Sequence, residues 1–193
     1  MTEQIEKREI VVPSRLFPFH TKGDAQEYHY LNFQLLNVHQ KITDAQRQLC
    51  IDMWTEEGIP LTESELAERS NQVCYLFMDT DTGKLAGVNT LYRQFMPYLQ
   101  SHWLANRSFI RPQFRTSRLA VIGVGITIYY SLLHLSHDSD TKGLVSIHEN
   151  IGLQRPGIRG LYAKGGFRYS HNIHRNEVWL LPFDEVELIS SNT

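Results

Sequence analysis

Residues 110–120, Ile-Arg-Pro-Gln-Phe-Arg-Thr-Ser-Arg-Leu-Ala, stand where a strand-like run gives way to a long apolar helix. The first amides of a helix have no partner within it and point outward, and the helix dipole adds partial positive charge, so such a junction can hold a phosphate. Arg115 and Arg118 can add charge-assisted hydrogen bonds, and the hydroxyls of Thr116 and Ser117 neutral ones. The set suits a pyrophosphate; a capped helix start with solvated arginines is the plainer alternative. Other chemistries find less support. His134 and His137 share a helical spacing beside Asp138, and His171 and His174 are likewise three apart. No cysteine joins either pair and no H-E-x-x-H pattern occurs, so a metal site is not expected. Serines, histidines and acids are scattered without a G-x-S-x-G elbow, which leaves a hydrolase triad unsupported.

Presenting that junction requires a layered domain. Residues 28–38 have the pattern of a strand, and Thr43 or Asp44 can cap a helix running to Trp54, which Gly58 and Pro60 end. Thr62-Glu63-Ser64-Glu65 matches a capping box and starts a second helix over 62–70. Two strand-like runs, 73–78 and 85–95, flank the turn formers of 79–83 and predict an antiparallel hairpin. The stretch 96–106 is expected as a connection, 106–111 as a strand, and 116–134 as the long helix, despite Gly123 and Gly125. A strand over 144–148 follows, then a helix with Pro156 in its first turn that ends at Gly165-Gly166, then the closing strands from Phe167 onward. The order β, α, α, β, β, β, α, β, α, β predicts an α/β (α+β) domain on a mixed sheet.

The chain has 193 residues, which suits one well-packed core: residues 1–27 are expected as an arm on the surface of a single domain over 28–193. Hydrophobic residues make up 41% and charged residues 21%, both signs interspersed, as in a globular protein and unlike a disordered one. A net charge of −2 supplies no basic footprint for a nucleic-acid backbone. The amino terminus is charged from Glu3 and carries no signal-like apolar stretch, and Gly, Thr, Tyr and Ser break the most apolar run, 119–135, so neither export nor a membrane span is expected. Cys50 and Cys74 each lie in an apolar periodic segment and are expected as buried free thiols, in keeping with a cytoplasmic location.

The junction resembles the acetyl-CoA-binding motif of the GNAT superfamily, V-x-P-x-Y-R-G-x-G-x-G/A, with Ile110, Pro112, Phe114, Arg115 and Ala120 in register. Thr116 and Arg118 occupy places the family usually gives to glycine, which permits close backbone approach to phosphate. Gly160-Leu161-Tyr162-Ala163-Lys164-Gly165-Gly166-Phe167 is similar to the family's A-x-x-L-Y-x-K-x-G-F segment. The resemblance covers about residues 28–182 and implies a mostly antiparallel sheet flanked by helices and splayed between its fourth and fifth strands. It also implies acetyl-CoA, or another acyl-CoA, as co-substrate, bound by Phe109, Ile110, Arg111, Arg115, Thr116, Ser117, Arg118, Leu119 and Ala120. Tyr162 inherits the role of protonating the departing thiolate. The asparagine usually found seven residues before that tyrosine is replaced by Arg155; Asn150, further upstream in a lengthened loop, is the substitute.

The reaction the resemblance implies is direct attack of an amine, on a small molecule or a peptide, upon the thioester carbonyl, polarised by a backbone amide near Phe109 to Arg111. An amine is mostly protonated at neutral pH and needs a base. Residues 103–111 contain no acid, so His148 and Glu149, at the end of the following strand, are the candidates. Glu56 and Glu57 can attract a cationic amine, and Arg93 can pair with a substrate carboxylate, each with a solvated surface role as the alternative. A homodimer is compatible with the sequence but not required by it. The missing glycines, displaced asparagine and absent acid also fit a second function: a GNAT-shaped module that binds acyl-CoA, or regulates, without turnover.

Overall fold

The computed structural model describes residues 8–10, 12, 15–19 and 26–188. In chain order the elements are β1 (Arg8–Ile10), β2 (Glu27–Tyr30), β3 (Phe33–Asn37), α1 (Asp44–Glu56), α2 (Glu63–Asn71), β4 (Val73–Asp79), β5 (Leu85–Met96) and β6 (Ser101–Ile110). There follow α3 (Leu119–His134), β7 (Thr141–His148), α4 (Pro156–Lys164), β8 (Arg168–Ile173), β9 (Asn176–Pro182) and β10 (Val186–Leu188). Eight strands form one sheet in the order β2-β3-β4-β5-β6-β7-β9-β8, and β1 pairs with β10 in a separate parallel ribbon. Within the sheet β6 and β7 run parallel, His102 to Asn106 against Thr141 to Ser146. The pairs β2–β3, β3–β4, β4–β5, β7–β9 and β8–β9 are antiparallel. The expected mixed, mostly antiparallel sheet with flanking helices is what forms. No helix among the described residues is long and apolar enough to cross a membrane.

The chain forms two compact units, one of residues 19–91 and 107–123, the other of 1–18, 92–106 and 124–193. In the first, the strand expected over 28–38 is a hairpin instead. Leu31 takes φ 54°, and Asn32 holds the bend by donating to Asp79 Oδ1 at 2.8 Å while its carbonyl accepts from the Thr80 amide. Both helices of this unit begin on capping boxes: Thr43 with Gln46 starts α1, and Thr62 with Glu65 starts α2. The apolar faces of α1 and β3–β5 close over a core of Val38, Ile42, Cys50, Met53, Trp54, Val73, Leu76, Leu85 and Val88, with Phe109 packed against it. Cys50 and Cys74 are free and buried as expected, and burial pushes both thiols up, Cys50 to about 12.

Of the expected amino-terminal arm, the described residues Leu16 and Phe17 are buried in the second unit, and most of residues 1–27 lie outside the described residues. Leu16 is 1% exposed, and Phe17 stacks on Tyr129 of α3 with ring centroids 4.5 Å apart. The arm fits because α3 has no side chain at Gly125, where a Cβ would lie 1.9 Å from the Leu16 carbonyl oxygen. A glycine that is unfavourable for helix formation thus allows a close backbone crossing. The stretch 96–106, expected as a connection, is a short 3₁₀ turn over Pro97–Leu99 followed by the first half of β6. A core of Met96, Trp103, Ala105, Val145 and Val178 lies between these strands.

Candidate functional site

The phosphate-binding candidate lies in the first unit. Its helix begins at Leu119, three residues later than the sequence pattern suggests, because Pro112–Ser117 winds into a 3₁₀ turn. Between the two, Arg118 adopts φ 68° and ψ 8°, the left-handed region that a glycine would enter freely. Where the sequence resemblance led to an expectation of glycine, this chain takes the glycine-type backbone with an arginine.

Arg115, Thr116 and Arg118 are exposed, so the two guanidinium groups and one hydroxyl stand on the outer face of the turn. Several of the turn's polar groups nevertheless bond locally, one of them the Nε of exposed Arg115. The Ser117 hydroxyl donates to the Phe114 carbonyl at 2.5 Å and faces the Leu119 amide at 3.4 Å, closing the turn rather than presenting itself to a ligand. Arg115 Nε donates to the Ile110 carbonyl at 3.1 Å. Ile110 and Leu119 are buried, Phe109 and Ala120 half-buried.

Arg111 departs most from expectation. Its backbone amide donates to the Ala86 carbonyl at 2.9 Å, so it is occupied within the sheet and not placed to polarise a thioester. Its side chain donates from Nε to the Leu85 carbonyl at 2.9 Å, from Nη1 to Glu57 Oε1 at 2.8 Å and from Nη2 to Glu56 Oε2 at 2.7 Å. The two glutamates expected to attract a substrate cation already have one, supplied by the strand end. Within the second unit Arg93, expected to meet a substrate carboxylate, lies 3.6 Å from Asp140 Oδ2.

The proton-transfer candidates lie in that second unit. Tyr162 of α4 is 4% exposed, and its hydroxyl accepts a hydrogen bond from Ser146 Oγ at 3.2 Å. Burial pushes the phenol up to about 12, with the Ser146 hydrogen bond acting against it, so the group is protonated at neutral pH. Edge-on to the phenol, with ring centroids 4.4 Å apart, lies His148, 0% exposed, which also stacks on Trp179. Among the described residues neither ring nitrogen of His148 has a hydrogen-bond partner; Nδ1 is 3.7 Å from Glu177 Oε2. Burial pulls the imidazole below its ordinary value, Glu177 opposes this and Arg159 reinforces it, so His148 is neutral. Glu149, just past the end of β7, is exposed. Asn150, expected at the cofactor, accepts from the Gly152 amide at 2.8 Å and caps the 3₁₀ turn Ile151–Gln154.

Sequence reasoning missed the residues behind His148. Glu177 is 6% exposed and carries a two-pronged pair with Arg159, Nε to Oε2 at 3.2 Å and Nη2 to Oε1; it also accepts from Trp179 Nε1 at 3.0 Å. Those hydrogen bonds, led by Arg159, hold its carboxyl below the usual range. The β7–β9 register places Ser146 opposite Trp179 and His148 opposite Glu177. The alternation Glu177-Val178-Trp179 marks a shared face, but nothing local to the sequence tells which residues of β7 it meets. Among the described residues no three His, Cys, Asp or Glu side chains are placed to hold a metal ion.

The strand order places β9 between β7 and β8 on a mixed α/β sheet, and the long helix α3 follows β6. Solved structures match most of the chain. A GNAT-family acetyltransferase from Bacillus anthracis has a TM-score of 0.52 at 9% identity, covering 82% of this chain and 99% of its own. Arabidopsis thaliana NAA60 in complex with acetyl-CoA has a TM-score of 0.51 at 13% identity, covering 78% and 97%. A ribosomal-protein alanine acetyltransferase from Vibrio fischeri has a TM-score of 0.54 at 7% identity, covering 80% and 94%. No protein-family profile matches the chain, and no curated protein sequence does. The chain has the GNAT fold.

Proposed function

We propose that this protein is an acyl-CoA-dependent N-acyltransferase that transfers an acetyl group from acetyl-CoA to a primary amine by direct attack. The observation that carries the proposal is the turn Pro112–Ser117 with Arg118 in the glycine-type conformation, which sets exposed Arg115, Thr116 and Arg118 immediately before the buried start of α3 in a chain of GNAT fold. Two cations beside helix amides suit a pyrophosphate. A neighbour of the same fold, NAA60, is in complex with acetyl-CoA, and the Vibrio fischeri neighbour acetylates an alanine, which supports an amine acceptor. Tyr162, protonated and enclosed, serves as donor to the departing sulfur. His148, neutral and on the same face of its unit, takes the amine proton in preference to exposed Glu149.

Calorimetric titration with acetyl-CoA tests the binding half. Replacing Arg115 and Arg118 together by glutamate turns two attractions into repulsions and is expected to weaken binding well beyond tenfold. Unchanged affinity would place the phosphates elsewhere or exclude CoA as the ligand. The burial of Tyr162 favours one second reading, a domain that binds acyl-CoA without turnover; tight binding with no acetylated product from a panel of polyamines, aminoglycosides and peptide amino termini would establish it.

A further inference from the structure

Polar side chains that are fully enclosed almost always have hydrogen-bond partners, and leaving a donor or acceptor unmet costs about 1–3 kcal/mol. His148 has two such nitrogens. A purely structural residue at the end of β7 would fill the space between Tyr162 and Trp179 as well with an apolar side chain, and without that cost. What distinguishes the ring from a filler is the carboxylate next to it: Glu177 Oε2 lies 3.7 Å from Nδ1, and a hydrogen bond of ordinary length needs the two to close by about 0.7–0.8 Å.

Glu177 is itself held in place for that purpose. Arg159 grips it through two nitrogens and Trp179 fixes Oε2 from a third direction, so the carboxylate cannot turn away from the imidazole. Oε2 already accepts from two donors, and a carboxylate oxygen facing a third N–H selects the tautomer that carries its proton on Nδ1. The Glu177–Arg159 pair has no net charge, so it orients His148 without forcing it into the imidazolium form.

The groups facing the imidazole from each packed element are few. On β9 stand Glu177 and Trp179; on α4 stand Tyr162 and, beyond Glu177, Arg159; on β7 itself the same face carries Ser146, and Glu149, past the strand end, is exposed. From the 3₁₀ turn Ile151–Gln154, Gln154 Nε2 donates both to the His148 carbonyl at 3.1 Å and to the Arg175 carbonyl at 2.9 Å, tying the strand end to the β8–β9 turn. The backbone that bears the ring is therefore braced from both sides.

We infer that Glu177 is a positioning residue: it holds His148 with its proton on Nδ1, leaving Nε2 as the nitrogen that accepts the amine proton in acyl transfer. The inference rests on the acyltransferase reading above. In the step, the amine nitrogen bonds to the acyl carbon, one N–H proton passes to His148 Nε2, and the C–S bond breaks with its electron pair on sulfur. Sulfur takes the Tyr162 proton, and imidazolium and phenolate are reset by exchange with water. The arrangement needs no further co-reactant.

Two measurements test it. Nitrogen NMR of the unaltered protein, labelled in histidine, reads the tautomer of His148 with no substrate present. Nδ1–H with bare Nε2 is expected, and Glu177→Gln should erode that preference; Nε2–H in the unaltered protein overturns the inference. In the kinetic arm, Glu177→Gln should lower kcat about ten- to a hundredfold with KM for acetyl-CoA within about twofold, as for loss of an orienting partner. It should also move the acidic limb of the pH–rate profile to lower pH, because a carboxylate that favours imidazolium is gone. A variant that loses thermal stability while keeping both kcat and the position of that limb makes Glu177 a structural residue and overturns the inference. Absence of turnover on every amine refutes the acyltransferase reading, and the tautomer, measured independently, still decides the positioning claim.

Discussion

Tyr162→Phe separates what the phenol does for the fold from what it does for the reaction. The substitution keeps the ring, its edge contact with His148 and its packing on Phe167, and removes only the oxygen that accepts from Ser146 Oγ at 3.2 Å. That bond is long for two hydroxyls, so the stranded Ser146 donor should cost near the lower end of the usual range, about 1 kcal/mol. In a domain of this size that corresponds to a fall in Tm of about 2–4 °C. Loss of a positioned proton donor is larger, about 10²–10⁴-fold in turnover, or about 3–5 kcal/mol of barrier. The double variant Ser146→Ala, Tyr162→Phe removes both ends of the hydrogen bond; stability should return to within a few tenths of a kcal/mol while turnover stays low. Thermal denaturation and single-turnover acetyl transfer at saturating acetyl-CoA read the two quantities separately. Because burial lifts the phenol from 10.0 to about 12, it remains protonated through the alkaline assay range, and on the proposed reading the unaltered protein should show no loss of rate from its ionisation below about pH 10. Recovery of turnover together with Tm in the double variant, or full single-turnover rate in Tyr162→Phe, would refute the donor role and leave Tyr162 a packing residue.

Two further substitutions probe the backbone that presents the site. At Arg118 the left-handed conformation costs a non-glycine residue about 1–2 kcal/mol, set against about 0.5–1 kcal/mol for the extra freedom of glycine in the unfolded chain. Arg118→Gly should therefore be about 0.5–1 kcal/mol more stable than Arg118→Ala in urea at equal m, and equal or reversed midpoints would contradict it. Gly125→Ala improves helix propensity by about 1 kcal/mol but drives a methyl group into the Leu16 carbonyl, so a net loss of at least about 2 kcal/mol is expected; an unchanged or raised Tm would mean that the arm does not cross α3 there.

What the sequence determined by itself is whatever depends on a few neighbouring residues. Thr62 and Glu65 satisfy each other's amides across one turn, and Thr43 does the same with Gln46, so both helix starts are written locally. The turn formers between β4 and β5 include Gly83 at φ 68°, a conformation that the residue type itself permits. The order of the central elements from α1 to α4, and with it the mixed sheet, follows from such signals, while the hairpin of β2 and β3 and the early start of β6 do not. Tertiary structure decided everything that joins distant residues. Arg111 spends its amide on β5 and its guanidinium on Glu56 and Glu57, more than fifty positions away, which only a folded sheet brings within reach. Residues 8–10 pair with 186–188, and Leu16 enters the space above Gly125, contacts that no local periodicity announces. His148 meets Glu177 because β7 and β9 pair in one register; a slip of one residue would turn every side chain of the strand to the opposite face. Alternation told which residues share a face, but the energy that chooses the register is summed over the whole buried interface, and no local run of the chain contains it.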